Sequence, residues 1–423
     1  MTSPVDPVLV VGTTSDYVER IAGKRPDGTI FLSDLDIYKE SGPPAVKRDN
    51  QIFASLRDPE ESFSRLSRFI DERRIRPSGV ACFDCESLLL ASDMARRLSL
   101  SFPSREAVLN SRDKLVSKKL WRDAGVGCPG AELARGEEEV RAFTRGVGNP
   151  VVLKPTTLSG SELTFLCRTA DEAVDAFRVI RDGLHRRAQD RTLNRDRMVD
   201  EHAVLCEEFI EGDEYSCDFI LDRTGIKIIR TARKYMMGDG PAGTTRAYKV
   251  PGMTSEKAEA IDLAGILSQA SKALGFERCQ GMADFIMRDG EPYFLEITPR
   301  PGGDCLPQVI EQSCGMDMLE AHIDFSAGRI PRIPPESEWK RTIGLRIHAE
   351  RRGSLTAIRL WADRVKQEIL ETGWYREPGD RIGLPPEDYR TWVIGYVIFR
   401  PLPGVDVQGQ IDDMMTAVEV RIE

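Results

Sequence analysis

The run from Met282 to Gly303 constrains the fold more tightly than any other stretch of the chain. Met282-Ala283-Asp284-Phe285-Ile286 and Tyr293-Phe294-Leu295-Glu296-Ile297-Thr298 are two apolar strands, each interrupted by one carboxylate and joined through Arg288-Asp289-Gly290-Glu291. Apolar strands flanking an Asp-Gly pair read as a β-hairpin. If 289–291 make a three-residue loop, Asp284 lies directly opposite Glu296 on one face, whereas a two-residue Asp-Gly turn puts the two acids on opposite faces. Facing carboxylates on a mostly buried hairpin repel each other and lose hydration, so they need a cation or a shared proton. Oxygen ligands with no histidine nearby favour Mg²⁺ or Mn²⁺. At solvent-exposed strand positions the same two acids would need neither.

A Mg²⁺ held by only two carboxylates generally works on substrate phosphates, which need cationic partners of their own. Lys114 and Lys154 are candidates, although either lysine alone would be an ordinary surface residue with a buried stem. Other phosphate-binding devices are missing: there is no Gly-x-x-x-x-Gly-Lys-Ser/Thr loop, and Gly12 stands without the further glycines of a dinucleotide fingerprint. No Gly-x-Ser-x-Gly elbow and no His-Glu-x-x-His occurs, so hydrolase and zinc-protease chemistry has no foothold.

The rest of the chain organises around this hairpin. With 423 residues, more than one hydrophobic core is expected. Val8-Leu9-Val10-Val11 running into Gly12-Thr13-Thr14-Ser15, a helix around 58–74, a strand at 79–83 and a helix from Leu88 to Leu98 predict a parallel α/β unit. A helix carrying Asp113, Lys114 and Lys118 follows Ser104, and the strand Val151–Lys154 leads into a Gly/Ser loop at 156–161. A strand at 163–167 and a helix from Ala170 to about Gly183 come next, and the polar stretch 185–203 reads as a surface insertion. Strands at 203–210, 214–221 and 226–232 predict two hairpins, glycine-rich 236–252 a mobile lid, and 255–275 one helix. The expected division is an N-terminal α/β domain at 1–110, a central domain at 111–330 and a small C-terminal α+β domain at 331–423 after a Pro-rich join. The central domain splits into a lysine subdomain at about 115–205 and a hairpin subdomain at about 206–330.

The net charge of −9, from 68 acidic and 59 basic residues with the basic ones scattered, disfavours sequence-independent nucleic-acid binding. No apolar run approaches membrane-spanning length and the first residues lack a basic secretory start, so a cytoplasmic protein with no membrane partner is expected. The nine cysteines read as reduced core thiols. Cys82 and Cys85 have the spacing of a redox or half-zinc motif, but no second pair completes a ligand set.

In order along the chain, these motifs resemble the ATP-grasp superfamily of carboxylate ligases from about Ser111 to Gly303. Ser111-Arg112-Asp113-Lys114 with Ala124-Gly125-Val126 looks like the family's first lysine helix, Val152-Leu153-Lys154-Pro155 like its second lysine strand, and Ser159-Gly160-Ser161 like its phosphate loop. Cys206-Glu207-Glu208-Phe209-Ile210 followed by Glu214 looks like its adenine hinge and ribose acid. The resemblance implies that Glu207 takes the adenine amine through its carboxylate or its backbone carbonyl, that the backbone of Phe209 and Ile210 meets the ring edge, and that Glu214 holds the ribose. Glu208 and Phe294 would also belong to the nucleotide site, and Asp284 and Glu296 would hold Mg²⁺ or Mn²⁺. Arg233 and Lys234, adjacent on a strand, both become candidates for the phosphates, although alternate residues face opposite ways and leave open which points inward. Arg300 would neutralise the substrate carboxylate or the phosphoryl group in flight, and the amides of Gly302 and Gly303 would stabilise an oxyanion. Thr298 stands where an asparagine commonly completes the family's second metal site, which puts that second ion in doubt.

The implied fold is α/β and α+β, an ATP-grasp fold with an N-terminal parallel domain and a small C-terminal α+β domain. Chain length and the run Glu296-Ile297-Thr298-Pro299-Arg300-Pro301-Gly302-Gly303 look most like the dipeptide-forming amino-acid ligases. The implied activity is ATP-dependent amide formation through an acyl phosphate from small-molecule carboxylate and amine substrates, with homodimerisation a reasonable default. The rival readings are a ligase with a carboxylase-like or purine-pathway nucleophile, and a nucleotide-binding scaffold in which Thr298 marks a decayed metal site.

Overall fold

The computed structural model describes residues 6–35, 48–148, 150–186, 204–238 and 240–423. The surface insertion expected at 185–203 begins in the last turn of the helix Ala170–Arg186, and its remainder lies outside the described residues. Strands β1 (Val8–Val11), β2 (Thr29–Asp34), β3 (Gln51–Ala54) and β4 (Gly79–Ala81) form a parallel sheet in the order β3-β2-β1-β4. Helices cover both faces, so β1 is buried along its whole length, which is why it reads as an unbroken apolar run. The helix Ser15–Lys24 and its C-terminal cap residue Arg25 tie this domain to the helices after the hairpin through ion pairs from Arg20 to Glu311 and from Arg25 to Glu320 and Asp324.

The helix expected around Lys114 is two helices, Arg105–Arg112 and Lys114–Asp123. Asp113 breaks it: the residue is extended, and its carboxylate accepts from the amides of Leu115 and Val116, each at 3.0 Å, capping the second helix. The strands β5 (Ala131–Ala134), β6 (Val151–Lys154), β7 (Phe165–Cys167) and β8 (Val204–Glu208) form an antiparallel sheet in the order β5-β8-β6-β7.

The remaining strands are β9 (Asp213–Asp222), β10 (Gly225–Met236), β11 (Thr245–Val250), β12 (Cys279–Arg288), β13 (Glu291–Thr298), β14 (Thr342–His348), β15 (Gly353–Leu360), β16 (Glu368–Trp374), β17 (Arg381–Ile382), β18 (Val393–Arg400) and β19 (Val418–Ile422). Eight of them make one sheet in the order β13-β12-β9-β10-β11-β14-β18-β16, and β17-β15-β19 make a small separate one. Of the two expected hairpins only β9-β10 forms, because β8 pairs with β5 and β6 in the other sheet. Half of the expected lid is also a strand. In β11, Ala247 and Val250 are fully buried between β10 and β14, so β-prone Thr, Tyr and Val outweigh the glycines that precede them. The helix expected over 255–275 breaks at Asp262, which turns left-handed (φ 47°) and caps the helix Leu263–Ala273.

Strands β14, β18 and β16 continue the large sheet, so the C-terminal segment covers what would otherwise be an open edge at β11. All nine cysteines are free thiols. Among the described residues no helix is long and apolar enough to cross a membrane, and no group of three or more His, Cys, Asp or Glu could by itself hold a metal ion.

Candidate active site

The hairpin β12-β13 combines features of both arrangements left open by its sequence. Its turn has two residues, Asp289 (φ 53°) and Gly290 (φ 86°), with Arg288 paired to Glu291. Both positive φ values suit Asp-Gly, and this turn alone would send Asp284 and Glu296 to opposite faces. The register steps between Asp284 and Phe285, however, where Leu295 is an additional residue on β13, and beyond that bulge Asp284 pairs directly with Glu296. The bulge leaves the Leu295 carbonyl to accept from the Lys118 ammonium at 3.2 Å.

Both carboxylates are partly buried and their ionisation is interdependent. Burial, with Glu296 and Glu214 adding to it, pushes Asp284 up to about 6 against the pull of Lys234. Burial acts on Glu296 in the same direction, but Lys114, Lys234 and Arg300 outweigh it and hold its carboxyl below the usual range. Two facing acids with hard oxygen donors and an incompletely compensated charge fit a divalent cation whose remaining ligands are water and substrate oxygens. Thr298 lies on the same strand face, with its hydroxyl 3.9 Å from the Cys85 sulfur.

Of the adjacent pair on β10, Lys234 points inward. Its ammonium lies 3.1 Å from Asp284 Oδ2 and also pairs with Glu214. Arg233 alternates to the other face, where it binds Asp213 at 2.6 Å and lies 5.3 Å from the Tyr235 ring centroid. The structure therefore removes Arg233 from the candidate catalytic residues.

Three lysines converge from the other sheet and its preceding helix. Lys154, at the end of β6, binds Glu207 Oε2 at 2.6 Å, and Lys118 binds Glu207 Oε1 at 2.7 Å. Lys118 has no exposed side-chain surface. Lys114, one turn earlier, donates to the Leu158 carbonyl at 2.6 Å, and burial pushes its ammonium down to about 8, with Lys154 adding to the shift and Glu296 opposing it. Sequence reasoning gave Lys118 no role, although its i+4 spacing from Lys114 was a usable signal.

Glu207 is thus the shared counter-ion of two lysines. Glu208 alternates away from it, accepting from the Gly130 amide at 3.3 Å and lying 3.6 Å from Arg288, so the structure does not bring it to the lysines. Phe209 and the buried Ile210 carry the chain from β8 to β9, from one sheet to the other. Phe294 is fully buried, with its ring 6.0 Å from Trp121 and 5.6 Å from Phe285. It supports the hairpin from behind and has no surface to offer a nucleotide, which corrects its expected place in the cofactor site.

The glycine loop reaches two neighbours. Ser159 donates to Glu86 Oε1 at 3.0 Å and Ser161 to the Gly243 carbonyl at 2.9 Å, while Gly160 and Ser161 both take positive φ. The β4 loop supplies Cys85 as well: Arg300 Nε donates to its sulfur at 3.0 Å, and Arg300 Nη1 to the Pro301 carbonyl at 2.7 Å. The Cys82/Cys85 spacing drew attention to a redox or metal motif, but nothing in the local sequence pointed Cys85 or Glu86 toward this site, because the α/β domain brings them in from more than 200 residues before Arg300. Gly303 stays beside Arg300, where an added Cβ would stand 3.8 Å from Nη1. Gly302 is not available as an oxyanion donor. Its amide is bound at 2.7 Å by Asp218, which is locked to Arg230 in a pair only 1% exposed on either side.

Two surface cavities of about 430 and 380 Å³ lie elsewhere, one against Arg352 and Arg381 and the other between β10 and Trp339, and neither borders Asp284 or Glu296. The polar cluster between the two sheets marks the site.

Two sheets enclosing opposed lysines and an acidic hairpin define an ATP-grasp fold, and residues 147–308 match the family model of the ATP-grasp domain. The match covers the central part of the chain, and the relatives similar to it include amino-acid ligases. The chain is 24% identical over 306 residues to alanine–anticapsin ligase of Bacillus subtilis, covering 66% of this chain and 63% of that one. It is 29% identical over 201 residues to D-alanine–D-alanine ligase of Delftia acidovorans, covering 45% and 55%. These matches therefore span less than two thirds of those relatives' lengths. In fold it resembles the L-amino acid ligase of Bacillus licheniformis over 100% of both chains, with a TM-score of 0.80 at 16% identity.

Proposed function

We propose that the protein is an ATP-dependent carboxylate–amine ligase that converts a small-molecule acid to an acyl phosphate and passes the acyl group to an amine, releasing ADP and phosphate. The observation that carries this reading is the direct pairing of Asp284 with Glu296 across the bulged hairpin, facing Lys234, Lys114 and Arg300. A free carboxylate does not acylate amines at neutral pH, since oxide is a poor leaving group and the negative charge repels the nucleophile. Phosphorylation removes both obstacles.

Asp284 and Glu296 would hold Mg²⁺, which when bound supplies charge neutralisation between the triphosphate and the attacking carboxylate. Lys114 and Lys154 bind the phosphates, Glu207 orients both Lys118 and Lys154, and Phe209, Ile210 and Glu214 seat the nucleoside. Lys234 leaves its carboxylate partners for the phosphoryl oxygens. Arg300 orients the substrate carboxylate, and the Gly303 amide donates to the tetrahedral oxyanion. Ser159, Gly160 and Ser161 exclude water from the acyl phosphate. We place the protein in the cytoplasm, acting on small molecules, with homodimerisation as its assembly.

The test is ADP release from ATP against pools of amino acids and other carboxylates, comparing wild type with Glu296→Ala, and mass spectrometry of the products. The reading requires pool-dependent release that the substitution abolishes. Equal background turnover in both proteins across every pool rejects it, and an amide-free carboxylated product would point to the carboxylase-like alternative.

A further inference from the structure

On the site face of the large sheet, beyond Lys234, two arginines stand side by side. Strands β11 and β14 pair with Ala247 opposite Leu345 and Tyr248 opposite Gly344, so one step along this register Arg246 comes opposite Arg346. Both share the face of Tyr248, which pairs with Lys234 across β10-β11. Like charges directly opposite on neighbouring strands destabilise a sheet unless something neutralises them.

The structure supplies one neutralising group for two cations. Asp304, four residues after Arg300, lies 3.2 Å from Arg346 Nη2 and accepts from the Tyr248 hydroxyl at 2.7 Å. It does so from a left-handed backbone (φ 54°), a conformation that Asp tolerates better than most non-glycine residues. Arg346 also donates to the Thr245 carbonyl at 3.2 Å. Arg246 has no such partner: its guanidinium makes no hydrogen bond or ion pair among the described residues, and its Nε is buried and unsatisfied. Among the described residues, a half-buried guanidinium with five donors and no acceptor, beside a second guanidinium whose carboxylate partner is Asp304, leaves one positive charge uncompensated.

The geometry points to an anion subsite in which Arg246 and Arg346 bind a carboxylate of the substrates other than the one that is phosphorylated. This inference rests on the ligase reading and narrows its substrate class. Strand β14 lies two strands from Lys234, roughly 10 Å at sheet spacing, which is the reach of a small amino or dicarboxylic acid rather than of the reacting group itself. Two molecules could bring that carboxylate: the acid substrate, if it is a dicarboxylate, or the amine, if it is an amino acid.

The test uses Arg246→Met, which removes a side chain that satisfies no internal partner and so leaves none orphaned. Steady-state ADP release is measured with dicarboxylic acids against their ω-carboxamides, and with amino acids against their α-carboxamides as nucleophiles. Arg246→Met should raise KM roughly 10- to 100-fold for whichever substrate carries the bound carboxylate, leave its carboxamide analogue within about 2-fold, and recover in part in Arg246→Lys. A shift confined to the acids or confined to the amines identifies the source. Unchanged KM values for every carboxylate-bearing substrate overturn the subsite while leaving the ligase reading intact. Should no pool support ADP release, the ligase reading fails instead, and the subsite is read from thermal shifts with glutarate and L-glutamate. Stabilisation of wild type but not of Arg246→Met supports it, and equal responses overturn it.

Discussion

Asp284 and Glu296 face each other across two strands joined by a turn that should have separated them, and the one-residue bulge at Leu295 brings them together. That bulge is held from the helix side by Lys118, so the carboxylate pair and the lysine cluster are mechanically one unit.

The raised pKa of Asp284 gives the pair a pH signature. The folded value of about 6 exceeds the ordinary 3.8, so the folded state holds this proton more tightly than the unfolded chain does. The contribution therefore favours folding below about pH 4 and is lost as pH rises through 6, by an amount on the order of 3 kcal/mol. Asp284→Asn should raise the melting temperature of the ligand-free protein at pH 7.5, leave it nearly unchanged at pH 4, and remove stabilisation by Mg²⁺ with ATP. Calorimetry at the two pH values decides, and a lower melting temperature at pH 7.5 would contradict the expectation.

Lys114 should impose the opposite limb. With its ammonium at about 8 in the free protein, its charge is lost as pH rises through that value. ATP affinity measured by calorimetry should fall roughly 5- to 10-fold between pH 7 and 9, and Lys114→Arg, whose guanidinium stays protonated, should flatten the profile. An equally steep profile in the arginine variant would remove Lys114 from the phosphate site.

Glu207 binds Lys118 and Lys154 with its two oxygens, all three side chains being nearly or fully buried. Lys118→Met breaks one buried pair and should destabilise the protein by about 3 kcal/mol. Adding Glu207→Gln should restore part of this loss, because the acid no longer lacks a partner. Denaturant titration of the single and double variants tests the coupling, and strict additivity would refute it.

Arg233 and Lys234 should behave as opposites despite being neighbours. Arg233 forms a half-exposed pair with Asp213, so Arg233→Ala should change stability by less than about 1 kcal/mol and ADP release by less than 2-fold. Lys234→Ala, leaving Glu214 and Asp284 without their shared cation, should abolish detectable release. Comparable losses in both variants would mean that the strand face has been assigned wrongly.

The tight hold of Asp218 on the Gly302 amide predicts that Asp218→Asn acts on catalysis from a distance. It should orphan buried Arg230, destabilise the protein by about 3 kcal/mol and loosen the Arg300 loop, seen as faster amide exchange at 300–303. Unchanged exchange there would show that the loop does not depend on Asp218.

The amino-acid sequence by itself determined the local elements: β1 from an unbroken apolar run, the lysine strand Val151–Lys154, and the hairpin with its Asp-Gly turn. Each of these is written within a few residues, as periodicity and turn chemistry. It also determined that Asp284, Glu296, Lys114 and Lys154 could serve one site, because their residue types suit phosphate chemistry. Tertiary structure decided which of them meet. The Leu295 bulge, the inward face of Lys234 over Arg233, the burial of Phe294 and the joining of β14, β16 and β18 to the large sheet depend on partners far along the chain. So do Glu86 and Cys85 beside the glycine loop and Arg300, and Arg246 opposite Arg346 a hundred residues later. A strand carries its alternation in its own residues, but which strand it pairs with, and therefore which charges it must face, is settled only when distant segments compete to cover the same buried surface.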